Sequence, residues 1–128
     1  MAALRNQEHY HAECLRLLQS LRDGQHTAIQ PLSVLVEVTA AIRRRTGSQE
    51  LARRVGRDLG SLDSLRFVEL DRARAQWAVE LATAAGVRGM DALVVQVAVE
   101  FGATLLSLDE DLLERVKGVV QTRSVSGV

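Results

Sequence analysis

The run ATLLSL, residues 103 to 108, constrains this chain more than any other stretch. It is short, apolar and uncharged, and it lies between Gly102 and Asp109, which suits a strand buried on both faces. Such strands belong to parallel sheets covered by helices on each side. Asp109 follows at once as a natural N-cap for a helix through Glu114. Upstream, Gly86 and Gly89 interrupt a helical pattern, so Asp91 falls in the first turn of a new helix, where free N–H groups and the macrodipole favour an anion. That helix is predicted to end near Gly102. Its LVVQVAV segment carries enough β-branched residues for a strand, and its place between a glycine turn and Gly102 argues for helix instead.

The rest of the chain alternates in the same way. Tyr10, Cys14, Leu17, Leu18 and Leu21 recur at helical spacing, which predicts a helix from about Arg5 to Arg22 that stops at Gly24. His9 and His11 near its start point to opposite sides of that helix and read as solvated. TAIQP, residues 27 to 31, is a short strand ended by the only proline, and Ser33 is positioned to cap the next helix, SVLVEVTAAIRRRTG. Leu51, Val55 and Leu59 mark a further helix closed by Gly60, and LRFVEL, residues 65 to 70, reads as a strand. Asp71 caps a helix with a small-residue face of Ala75, Ala78, Leu81, Ala82 and Ala85 that allows close packing against a sheet or another helix, stopped by Gly86, with Trp77 off that face at a core edge or an interface. VVQTRSV, residues 119 to 125, is the last strand. The order implies one α/β domain over residues 1–128, a parallel sheet with helices on both faces.

Composition narrows the function. Acidic and basic residues balance at 16 each, so no global field draws the chain to nucleic acid, although Arg43, Arg44 and Arg45 form a local basic cluster. Those arginines either complement the dipole at a helix C-terminus or hold phosphates. A lone Cys14 makes neither an internal disulfide nor a thiolate cage and fits a reducing cytoplasm. The most apolar region is broken by Gln96, Glu100 and Gly102, so neither a membrane span nor a signal peptide is expected.

Three acids remain to be explained. Val34, Leu35, Val38, Ala41 and Ile42 form the apolar stripe of their helix, and Glu37 lies on its margin beside Ala41, with Arg44 behind it. A glutamate there is paired, solvated in a cleft, or coordinated. Glu37 follows the first strand, Asp109 follows the third, and Asp91 opens the helix that feeds the third. In a parallel sheet these positions can converge at one carboxyl end. Hard carboxylates without thiolates suit Mg2+ or Mn2+ held partly through water, which can activate a water against a phosphodiester. Asp91 and Asp109 also have sufficient structural roles as helix starts.

The run GVRGMDALVVQVAVEFGATLLSLDEDL, preceded by PLSVLVEVTAAIRRRTG, resembles the PIN-domain family of VapC-type ribonuclease toxins over nearly the whole chain. In that family an aspartate in a "DA" step opens a helix, a second aspartate follows a strand ending in T/S-x-D, and a glutamate sits in an early helix after a proline-containing turn. The resemblance implies a three-layer PIN-like fold and a metal-dependent endoribonuclease, with Glu37, Asp91 and Asp109 as catalytic metal ligands. Asp111, two residues on, assists in some members, and its place in the first helical turn also gives it a structural role. The resemblance further implies a cytoplasmic protein with an RNA substrate, a small antitoxin partner and a homodimeric state, and Arg43 to Arg45 as phosphate contacts.

One departure from the family pattern is large. Family members begin with a strand ending in an aspartate, and MAALRNQEHYH resembles only the tail of the helix that follows it. The expectation is therefore a chain truncated at its N-terminus relative to the family, lacking the first, central strand and its aspartate. Its absence would leave a gap between the strands at 27 to 31 and 103 to 108, with edges open to pairing. An alternative function follows, a catalytically inactive PIN-like protein that binds an antitoxin or another PIN chain. A receiver-like domain fits less well, because it expects paired acids after its first strand.

Overall fold

The structure is a computed structural model that describes residues 22–124. His9, His11, Cys14 and all but the last residue of the first expected helix lie outside the described residues. The elements run β1 (Ala28–Pro31), α1 (Leu32–Thr46), α2 (Gln49–Gly60), β2 (Leu65–Val68), α3 (Arg72–Ala85), α4 (Gly89–Glu100), β3 (Leu105–Ser107), α5 (Glu110–Val116) and β4 (Thr122–Ser124). This is the mixed α/β order expected from the alternating pattern.

Among the described residues every strand pairing is parallel, and each crossover carries helix, as parallel connections require. β1 lies beside β2 with Ala28 opposite Leu65 and Pro31 opposite Val68. β3 lies beside β4 with Leu105 opposite Thr122. Among the described residues these are two separate two-stranded sheets, and no hydrogen bond joins β1 to β3. Two-stranded sheets have little independent stability, so the covering helices must bind them together.

α4 does so. It packs on β1 and also enters the main core, where Val95 and Ala98 meet Leu105 of β3, Leu112, Leu113 and Val116 of α5, and Val120. Val95 is fully buried, and a buried valine or leucine of this kind contributes roughly 1.5–3 kcal/mol. Contact on several sides explains why LVVQVAV reads as β-like yet is helical. Residues 95 to 98 are buried in succession, so the helix needs apolar side chains on several faces, with Gln96 the polar one and bonded to Glu100. The small-residue face of α3 packs against α4 as expected, with Ala78 buried.

Local signals end the helices where the sequence places them. Gly47 and Gly86 take φ of 70° and 69°, a left-handed conformation that glycine adopts without a Cβ penalty, and their N–H groups return to Arg43 O and Ala82 O. Asp71 accepts from Arg74 N at 2.8 Å and Asp109 from Leu112 N at 3.1 Å, so both act as N-caps. Ser33 does not. The N-cap of α1 is Pro31, whose fixed φ of −66° carries the extended strand directly into the helix. Trp77 is 39% exposed beside Gln76, Val79 and Glu80, with much of its ring at the surface. Among the described residues no single helix is long and apolar enough to cross a membrane.

Candidate metal and phosphate site at the start of α4

The first turn of α4 lies between the segments that carry the other two acids. On one side, Ser33 Oγ in the first turn of α1 lies 3.7 Å from Met90 Sδ, the neighbour of Asp91. Glu37 is four residues after Ser33, one turn further along the same side of α1. Here the two helix starts touch. On the other side, Arg115 Nη1 of α5 donates to Ala85 O at 3.4 Å, while its Nε donates to Asp111 Oδ2 at 2.8 Å. This ties the start of α5, where Asp109 sits, to the corner that leads into α4.

The acids differ in setting. Asp91 is half-buried in the first turn of α4, where the helix dipole favours its charge. Glu37 is exposed and forms no salt bridge with Arg44 or any other described residue. Among the described residues its carboxylate is therefore open to a cation. Asp109 is exposed and spends one oxygen on its cap bond to Leu112 N. Asp111 is exposed and engaged by Arg115.

Among the described residues no three His, Cys, Asp or Glu side chains are gathered closely enough to hold a metal ion together. The donor chemistry still suits magnesium or manganese. Magnesium keeps several waters and is often bound through one or two carboxylates plus substrate phosphates. Asp91, in the first turn of α4, and Glu37, one turn beyond the Ser33 that meets Met90, are the two acids carried by the helices in contact there.

Two features escaped the sequence reading. Arg88 is the N-cap residue of α4, exposed and without an ion pair among the described residues, three positions before Asp91. A cation at the positive end of a helix disfavours the helix, a local signal visible in VRGMD. The second feature is Glu100, at the far end of α4. It receives Arg74 Nε at 3.0 Å, Arg74 Nη2 at 2.9 Å and Gln96 Nε2 at 2.6 Å. The hydrogen bond from Arg74 holds the Glu100 carboxyl below its ordinary range, and the same bond raises Arg74.

The sequence model of the family described as PIN domain matches residues 1–119. No curated protein matches the chain.

Proposed function

The chain belongs to the PIN domain family, whose members are generally metal-dependent nucleases, and from that membership we propose a metal-dependent endoribonuclease, the VapC-type toxin of a toxin–antitoxin pair. The observation that carries this reading is the Ser33 to Met90 contact, which sets the helix of Glu37 against the first turn of Asp91. Its substrate is a phosphodiester of RNA, and it works in the cytoplasm.

Glu37 and Asp91 would hold Mg2+ or Mn2+, with Asp109 contributing the oxygen not used in its cap bond. The ion supplies charge stabilisation and an activated water when bound. The chain's own residues do the rest. Arg88, at the mouth of the same helix, draws an anionic substrate toward the acids. Ser33, meeting Met90, and Arg115, meeting Ala85 O, hold the backbone on both sides of the α4 start that carries Asp91. A small antitoxin would silence the site by inserting a basic side chain among the carboxylates, and a homodimer is the assembly in which it would do so.

The second reading, a PIN-like protein without catalysis that binds an antitoxin or another PIN chain, is favoured by one observation, the lack of a three-donor group among the described residues. One pair of measurements separates the two. Under the enzyme reading, manganese raises the melting temperature in a saturable way following RT ln(1 + [L]/Kd), and Asp91→Asn removes both this shift and manganese-dependent RNA cleavage. Cleavage unchanged in Asp91→Asn would end the reading of this acidic site as the catalytic one. A wild-type chain that neither cuts RNA nor responds to manganese would establish the binding form.

A further inference from the structure

The α1–α2 hairpin carries a cationic surface apart from the acids. Its two helices are joined by Gly47 and Ser48 alone, and a Cβ at Gly56 would come within 2.8 Å of Thr39 Cγ2, which fixes where they cross. One turn closer to the loop, Ile42 and the buried Ala52 lie inward, while Arg43 and Arg53 lie outward on either side of the seam. Arg57 is one turn beyond Arg53 on the same ridge of α2. Arg43, Arg53 and Arg57 are exposed and form no ion pair among the described residues.

The neighbouring ridge of α2 is different. There Glu50, Arg54 and Asp58 alternate in sign, and Arg54 pairs with Glu50 at 3.8 Å. The helix thus sorts its charge into a compensated ridge and an uncompensated one. Like charges on adjacent turns and across a seam weakly disfavour the folded hairpin, and an anion that spans them would relieve that repulsion. We propose that Arg43, Arg53 and Arg57 form a docking surface for the phosphate backbone of the RNA substrate, outside the acidic site. Guanidinium groups suit this because each can offer two parallel donors to one phosphate. Arg44 is not part of this set, since it lies on the Glu37 side of α1.

The choice of RNA rests on the nuclease reading, so the test measures binding without cleavage. A fluorescein-labelled single-stranded RNA is titrated with the full chain in EDTA at a series of salt concentrations. Each arginine removed should lower the slope of log K against log salt by about 0.7, so Arg53→Gln with Arg57→Gln should lower it by about 1.4. Arg54→Gln, on the compensated ridge, should leave it unchanged. If the double variant fails to fold by circular dichroism, Arg43→Gln on the other helix should still lower the slope by about 0.7. An unchanged slope in a folded Arg53 and Arg57 variant overturns the proposal. So does a wild-type chain that ignores RNA yet binds a polyglutamate peptide through the same arginines, which would mark a surface for an acidic protein. RNA that binds with the expected slope but is never cut with manganese present ends the nuclease reading and leaves the docking surface standing.

Discussion

Arg74 and Glu100, 26 residues apart, meet through two parallel hydrogen bonds of 3.0 and 2.9 Å that join the first turn of α3 to the last residue of α4. Each side chain is 25% exposed, and Gln96, only 1% exposed, completes the acceptor set of Glu100. Arg74 also reaches Asp71 Oδ2 and Glu69 O, so the β2–α3 corner is tied to the same point. The link fixes the end of α4 opposite to Asp91.

This pair makes stability depend on acid. The folded-state pKa of Glu100 lies below its ordinary 4.5, chiefly through the Arg74 bond, so the contribution is complete above that value and is lost as pH falls through the folded pKa. Glu100→Gln should lower the melting temperature at pH 7, and the gap from wild type should close in acid. Thermal melts from pH 7 down to about 3 check this; a gap that stays constant across the series would contradict it.

Gly56→Ala should destabilise the chain although alanine is the better helix former. A Cβ there would stand 2.8 Å from Thr39 Cγ2, and Thr39 cannot turn away freely because its Oγ1 donates to Leu35 O at 3.0 Å and to Val36 O at 2.9 Å. Overpacking costs about 1–3 kcal/mol, against a propensity gain of about 0.5–1 kcal/mol. Adding Thr39→Ser removes the obstructing methyl and keeps the hydroxyl. Urea melts of the two single variants and the pair should therefore show recovery in the double variant.

How much was legible in the sequence follows from the range of the forces involved. Asp71 and Asp109 were readable as caps because an N-cap bond spans three residues and needs no tertiary partner. Gly47 and Gly86 marked helix ends for the same local reason. Ser33 misled because Pro31 had already fixed the backbone for entry into α1, leaving the hydroxyl to meet Met90. Arg74 and Glu100 could not be paired from sequence, since nothing local joins α3 to the end of α4. For the candidate site, Asp91 and Asp109 were visible as acids at helix starts and Glu37 as an acid on the margin of an apolar stripe. Only the structure showed that the α1 and α4 starts touch and that Arg115 engages Asp111.

Arg88→Gln should raise stability and lower function together. Removing a cation from the N-terminus of α4 relieves an unfavourable dipole contact worth about 0.3–1 kcal/mol at low ionic strength. On the proposed function, the same change weakens the attraction of an anionic substrate to the acids. Melting temperature and RNA affinity measured on one preparation should therefore move in opposite directions, and both effects should shrink with added salt.

Asp109 has two roles that one substitution can separate. As N-cap of α5 it needs only a side-chain oxygen that accepts from Leu112 N, and asparagine serves there nearly as well as aspartate. As a metal ligand it needs its charge. Asp109→Asn should leave the melting temperature close to wild type, apart from a small dipole loss, while removing the manganese-induced rise. Asp109→Ala should lose both, with a stability cost of about 0.5–2 kcal/mol from the missing cap. If Asp109→Asn kept the full manganese shift, Asp109 would be a cap alone, and the ion would have to be held by Glu37 and Asp91 without it.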